Sequence, residues 1–301
     1  MYLITGATGN TGSVVAKGLL KQGKKVRVVA RSQEKLKELA SLGAETLIGD
    51  ITSQSTANKA FTGVEAAYVM IPPATTDPDF RGYQQRLTDV YGSALEANSS
   101  VKHVVVLSSL GADKDAKTGP ILGLHFLEER LKEIKPLNSL ALRAGYFMEN
   151  TLGQAAVIHQ MGAVVGPLKP DLKIPLIASI DIGNAALNAL LQLNFTGHQT
   201  HDLQGQRDLT YLEITAIIGA AIGKPDLQYQ LISSEQFAGF IEQMGSAKNV
   251  AVLMAEMVDA QNVGHVCSLE PRSKSNTTPT PFEQFVAETF VPAYKAASKD
   301  A

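Results

Sequence analysis

The sequence predicts an α/β fold, a doubly wound parallel sheet with a smaller, mostly helical C-terminal lobe. Two observations carry that prediction. Through the first 150 residues, short apolar runs alternate with stretches of helical periodicity, the pattern of parallel strands joined by right-handed helical crossovers. The first apolar run, Tyr2-Leu3-Ile4-Thr5, also leads straight into Gly6-Ala7-Thr8-Gly9-Asn10-Thr11-Gly12, and then into Val14 to Leu20, apolar at helical spacing. Strand, glycine turn and helix stand in the order that a dinucleotide site of the Rossmann type needs.

Each glycine of that turn has a physical task. Gly6 lets the chain leave the strand tightly, Gly9 lets the backbone approach a pyrophosphate, and Gly12 lets the helix pack on the strand. The helix N-terminus offers unpaired N–H groups and partial positive charge to phosphates, with Thr8, Asn10 and Thr11 among the groups placed there. The bland alternative is a strand-to-helix turn without a ligand.

The second strand, Lys25 to Ala30, bears on the type of cofactor. An NAD site wants a carboxylate near the end of this strand for the ribose 2′-OH. Here the strand runs into Ala30-Arg31-Ser32, and the next carboxylate, Glu34, lies beyond its end. Arg31 can pair with a 2′-phosphate and stack on adenine, and Ser32 and Lys35 can add hydrogen bonds and charge. NADP(H) is therefore expected in preference to NAD(H). The other possibility is a solvated arginine at the start of a helix.

The alternation continues. Glu34 to Ala40 reads as helix, Ala44 to Asp50 as strand, Ser55 to Phe61 as helix and Ala66 to Ile71 as strand. Pro72-Pro73 ends that strand, because proline cannot continue a ladder. Arg81 to Ala97 is a long helix, Val101 to Leu107 a strand ending at Ser108-Ser109, Leu124 to Ile134 a helix and Ser139 to Arg143 a strand. Ligands of such sheets bind beyond the carboxyl ends of the strands. Gly9, Arg31, Asp50, Ile71 to Ala74, Ser108 and Gly145 should thus face one crevice, with Ile71, Pro72 and Pro73 against the cofactor. Asp50 either bonds adenine or caps the next helix.

The second half is less regular. Asp181 to Leu193, Leu212 to Ile222, Ser234 to Met244 and Asn249 to Asp259 read as helices, His201 to Leu203 as a strand, and Pro281 to Phe290 closes the chain. Residues 1–150 are expected to form the NAD(P)-binding domain, with 181–223 packing back on it. Residues 151–180 and 224–301 are expected to form a smaller substrate lobe. Pro271 to Pro281, rich in Ser, Thr and Pro, reads as a loop.

Bulk properties narrow the class. A net charge of -2 over 301 residues gives no argument for direct nucleic-acid contact or an anionic membrane surface. One cysteine, Cys267, rules out an internal disulfide framework and offers no metal cluster; it reads as a small apolar residue. No apolar run reaches membrane-spanning length. The first strand begins at Tyr2, which leaves no room for a signal peptide, so a cytoplasmic location is expected.

The chain resembles the NmrA-like group of atypical short-chain dehydrogenase/reductases over nearly its whole length. The resemblance rests on Thr5 to Gly12, Val26 to Arg31, Leu47 to Asp50, Ala94 to Ala97 before Val101 to Val105, Ser108-Ser109, and His125 ahead of Glu128. It continues through Leu142-Arg143-Ala144-Gly145-Tyr146-Phe147-Met148-Glu149-Asn150 and Ile180 to Gly183. The pattern is nearest that of bacterial NADPH-dependent quinone reductases and triphenylmethane reductases. The family includes enzymes and also catalytically silent NADP(H) sensors that regulate other proteins.

Typical short-chain reductases use a Tyr-x-x-x-Lys pair to protonate an alkoxide. None of the eight tyrosines here has lysine four residues on, and the helix where the pair would fall reads Gly123-Leu124-His125-Phe126-Leu127-Glu128-Glu129-Arg130. Ordinary ketone chemistry, and the sugar-nucleotide epimerisation that uses the same pair, are therefore disfavoured. Quinone reduction asks less, because its product anion is phenolate-like, with a pKa of about 10. Proximity and orientation can carry most of it. His125 is a candidate to orient substrate or supply a proton, unless it is a core histidine. Ser108 is a candidate to bond a substrate carbonyl, unless it is a strand-end cap. Tyr146 is expected beside the nicotinamide, with Phe147 and Asn150 lining the substrate pocket. The expectation is an NADPH-dependent reductase of quinone-like acceptors that needs no flavin, with a homodimer possible. The alternative is an NADP(H) sensor acting on a protein partner.

Overall fold

The computed structural model describes residues 1–297. Residues 298–301, which the sequence assigns to the smaller lobe, lie outside the described residues. In chain order the first elements are β1 (Tyr2–Ile4), α1 (Asn10–Lys21), β2 (Val26–Ala30), α2 (Lys37–Ser41), β3 (Glu45–Ile48), α3 (Gln54–Phe61), β4 (Ala66–Val69) and α4 (Phe80–Ala97). There follow β5 (His103–Ser109), α5 (Leu122–Lys132), β6 (Asn138–Ala144), β7 (Tyr146–Phe147), α6 (Gln154–Met161), β8 (Ala163–Gly166), β9 (Ile174–Ile177) and α7 (Ser179–Gln192). The chain continues with β10 (His198–Leu203), β11 (Asp208–Leu209), α8 (Tyr211–Ala221), β12 (Gln228–Leu231), α9 (Ser234–Gln243), α10 (Lys248–Asn262), α11 (Phe282–Phe285) and α12 (Val291–Ala297).

Seven strands form one sheet in the order β10-β6-β5-β4-β1-β2-β3, with every pairing parallel. The chain winds outward from β1 through β2 and β3, returns to β4 beside β1, and winds the other way. The reversal between β1 and β4 opens the crevice in which such sheets bind ligands.

Strand parity divides the core. Ile4, Val28, Tyr68, Val105 and Leu142 face α1 and α7, against Val15, Leu19, Ile182, Ala186 and Leu190. Their neighbours Leu3, Val29, Ala67, Val69, Val104 and Val106 face α3, α4 and α5, against Phe61, Leu87, Tyr91 and Leu127. Both faces of the central strands are covered, so β1, β4 and β5 are largely apolar on both sides, whereas the edge strands β3 and β10 are more exposed and more polar. Each such large apolar side chain contributes about 1.5–3 kcal/mol when fully buried.

A third cluster gathers Met148, Ile158, Ile174, Leu176, Leu209, Ile214, Ile218, Phe282 and Phe290. Two small sheets accompany it, one of β11, β9 and β7, the other of β12 and β8. These strands span two to four residues and stand outside the regular strand-helix alternation that marks the equally short β1, β3 and β4, and the smaller region carries them in addition to its helices. Elsewhere the structure adjusts boundaries. The expected helix over 34–40 splits into a 3₁₀ turn at Glu34–Leu36 and α2, and β10 begins at His198. The α9–α10 pair reaches across to the sheet: Ala247 donates its N–H to the Thr75 carbonyl at 2.8 Å, and Glu256 accepts from the Gly119 N–H at 3.0 Å. Among the described residues no helix is long and apolar enough to cross a membrane.

Candidate functional site

The site is built at the switch point. The Thr5 hydroxyl accepts from the Met70 N–H at 3.1 Å and donates to the Tyr68 carbonyl at 3.3 Å, which ties the end of β1 to the end of β4. Gly6 then turns at φ +61°, a left-handed conformation that favours glycine. A Cβ at Gly12 would sit 2.3 Å from the Gly6 carbonyl oxygen, so the first turn of α1 starts flush against the loop. Gly9 caps α1 with extended backbone and no side-chain bond, and the first helical turn carries no acidic residue. The N–H groups of Asn10, Thr11 and Gly12 therefore retain their capacity for an anion. The Thr11 hydroxyl itself is committed, since it accepts from the Tyr68 hydroxyl at 2.8 Å. Burial pushes the Tyr68 phenol far above the ordinary tyrosine range, which keeps it a neutral donor.

A cleft of about 680 Å³ opens beside this turn. Gly6 and Thr8 line it from the loop, Arg31, Ser32 and Lys35 from beyond β2, Asp50 from beyond β3, and Pro72 and Pro73 from beyond β4. Arg31 and Lys35 are exposed, and neither forms an ion pair among the described residues, whereas the nearby Lys37 pairs with Glu34. Asp50 Oδ1 accepts from the Thr52 N–H at 3.0 Å and the Thr52 hydroxyl at 2.8 Å. One of its oxygens thus orders the turn into α3, and the other remains for a ligand. The Tyr83 hydroxyl donates to the Pro72 carbonyl at 3.0 Å and pins the proline pair. Burial, then the Asp50 charge, pushes the Tyr83 phenol up to about 12.

A hollow of about 230 Å³ continues along the strand ends, lined by Ile71, Pro72, Pro73, Ser109, Ile121 and Leu124 among others. Beyond it lies a second pocket of about 390 Å³, which shares Ser109 and Ile121 with the hollow. Tyr146, Phe147 and Asn150 line this pocket, together with Lys173, Pro175, Asp208, Met257, Gln261 and Cys267. Its back wall is held by the Tyr146 hydroxyl, 3.1 Å from that of Tyr211. Burial raises the pKa of both phenols.

The structure brings Gly6, Thr8, Arg31, Ser32, Lys35, Asp50, Ile71, Pro72, Pro73, Tyr146, Phe147 and Asn150 to this crevice; Gly9, Asn10, Thr11 and Gly12 form the adjoining turn without lining it, and Ser108 and His125 stand apart. Ser108 is buried, and its hydroxyl donates to Glu128 Oε1 at 2.5 Å. Glu128 in turn takes a bidentate contact from Arg143, at 3.1 and 2.6 Å. Alternate residues of a strand face opposite sides of the sheet. Ser108 therefore shares the α5 face with Val104 and Val106, while its neighbour Ser109 lines the crevice. That corrects the expectation that Ser108 faces the crevice; β5 is apolar on both faces, so its sequence gives the parity but not which face meets α5. His125 is half-buried, with Nδ1 3.0 Å from the Ala112 carbonyl oxygen, and it does not line the cleft, the hollow or the pocket. Lys173, Asp208 and Met257 also escaped the sequence reading: Lys173 and Asp208 stand at the short strands β9 and β11, and Met257 lies on α10, a helix whose sequence does not show which side meets the pocket.

The NmrA-like family model matches residues 2–286. The chain is 28% identical over 262 residues to the NAD(P)H azoreductase of Xenophilus azovorans, covering 85% of this chain and 86% of that one. It is also 28% identical over 261 residues to quinone oxidoreductase 2 of Escherichia coli, with the same coverage of 85% and 86%. The structure is similar to that of the Citrobacter sp. triphenylmethane reductase complexed with NADP(H), at a TM-score of 0.77 and 22% identity, covering 99% of this chain and 100% of that one.

Proposed function

The chain belongs to the NmrA-like family, and from that premise we propose an NADPH-dependent reductase that delivers hydride to a quinone or similar flat conjugated acceptor without a flavin. The observation that carries this reading is the continuity of the crevice: a cleft with two unpaired cations leads through an apolar hollow to a pocket walled by Tyr146 and Phe147. Relatives named for azo and quinone acceptors support it.

Bound NADPH supplies the hydride. The chain's own residues do the rest. The backbone from Gly6 to Gly12 and the uncapped end of α1 hold the diphosphate. Arg31, with Ser32 and Lys35, pairs with the 2′-phosphate; Asp50 faces the adenine end. Ile71, Pro72 and Pro73 wall the path between cleft and pocket. Phe147 and Asn150 orient a flat acceptor against the cofactor, so proximity supplies the main part of the rate. Tyr146, its hydroxyl held by that of Tyr211, presents its ring to the nicotinamide end of the pocket. Ser108 and His125 have no direct part in this reading. Residues 1–150 with α7 and β10 act as the cofactor unit; β11 and α8, expected there too, pack instead in the third cluster and with residues 151–178 and 224–297 cover the acceptor. A cytoplasmic location belongs to the same reading, because NADPH is available there.

Steady-state oxidation of NADPH with and without simple quinones tests it. Quinone-dependent, saturable loss of NADPH is the expected result. Tight NADPH binding with no loss would overturn the reductase in favour of a cofactor sensor.

A further inference from the structure

The acceptor pocket carries an unbalanced charge. β9 and β11 pair antiparallel, with Asp208 opposite Pro175 and Leu209 opposite Ile174. Ile174 and Leu209 are buried in the core of the smaller region. Parity therefore turns Pro175 and Asp208 to the opposite face, toward the pocket, and Lys173, just before β9, falls in the same register. All three line the pocket. The Asp208 carboxylate is neutralised by an ion pair with the Arg272 guanidinium. Lys173 is exposed and has no ion pair or hydrogen bond among the described residues. Glu213 is close enough to feel its charge but forms no ion pair with it; its Oε2 accepts from the Thr210 N–H at 2.7 Å and the Thr210 hydroxyl at 3.0 Å, and it does not line the pocket. Among the described residues, Lys173 and Asp208 are the lysine, arginine or carboxylate side chains that line the pocket, so its wall carries one positive charge with no direct ion pair beside largely apolar surface.

We propose that the pocket selects aromatic acceptors bearing an anionic substituent, a carboxylate or sulfonate, and that Lys173 is the residue that reads it. This deepens the reductase reading and rests on it for the word acceptor. The ring lies among Tyr146, Phe147 and Met257, and its anionic group reaches the Lys173 ammonium at the rim. A charge-assisted contact of this kind, partly exposed, discriminates by about fivefold to tenfold.

The test uses two dead-end ligands of matched shape, naphthalene-2-sulfonate and its neutral sulfonamide. Their binding to the full-length, NADPH-saturated protein is measured by calorimetry, and their competition against a quinone by kinetics. The sulfonate is expected to bind about fivefold to tenfold more tightly than the sulfonamide. The preference should vanish in Lys173→Gln, survive in Lys173→Arg, and be unchanged in Lys169→Gln, a neighbouring exposed lysine outside the pocket. Equal binding of the two ligands, or a preference that persists in Lys173→Gln, overturns the proposal. Calorimetry needs no turnover. A Lys173-dependent preference in a protein that reduces no quinone would sink the reductase reading and leave the anion-reading pocket standing.

Discussion

Arg31 concentrates the cofactor question in one side chain. It stands at the mouth of the cleft with no carboxylate paired to it, where an NAD-selective site would place an acid. Its removal should cost NADPH more than NADH. In Arg31→Ala the dissociation constant for NADPH is expected to rise by roughly tenfold to a hundredfold, and that for NADH to change little. Fluorescence titration with both cofactors measures it, and an equal loss for both would show that Arg31 reads something other than the 2′-phosphate. Arg31 was legible in the sequence because it follows directly on the apolar run of β2, at the distance past the glycine turn where the cofactor ribose is read. Ser109 was not, because two adjacent serines at a strand end differ only in parity. Only the packing of Val104 and Val106 shows which serine faces the helix and which the crevice.

At the scale of elements, the Ser108–Glu128–Arg143 group clamps β5, α5 and β6 together. Both charged side chains are almost wholly buried, at 3% and 9% exposed. Breaking such a pair leaves a lone buried charge. Arg143→Met is expected to destabilise the protein by about 3–5 kcal/mol, and the double replacement with Glu128→Leu by clearly less. Denaturant midpoints for the two variants check this, and a double variant as weak as the single would remove the pair from the account. The edge strand β10 adds a pH dependence. His198 lies 2.8 Å from the Ser139 hydroxyl; burial first, then the positive charge of Lys135 and Lys132, lowers its pKa from 6.5. The unfolded chain therefore takes up this proton first as pH falls. The stability His198 contributes is complete above its unfolded pKa and is lost as pH falls through the folded value. Melting temperature should fall less in His198→Gln than in the parent between about pH 7.5 and about pH 5.5. An identical fall would exclude His198. Most strands of the main sheet were readable because they alternate regularly with helices through the first half of the chain, whereas β7, β8, β9, β11 and β12 stand outside that alternation.

For the whole molecule, the reversal of strand order between β1 and β4 places the glycine turn, the basic end of β2 and the proline exit of β4 around one cleft. The smaller region then supplies the far wall of the acceptor pocket. The first half of this arrangement follows from alternation and strand order alone. The second depends on pairings distant in sequence, such as Ala247 with Thr75 and Glu256 with Gly119, which no local pattern announces. Hydride transfer without flavin is the claim that joins the two halves. It is tested most directly by saturating flavin-free protein with NADPH, then adding a simple quinone and following the nicotinamide absorbance in the same sample. The account predicts that the absorbance holds steady until quinone is added and then decays in proportion to it. Saturated binding followed by no decay, with any quinone of the panel, would contradict it.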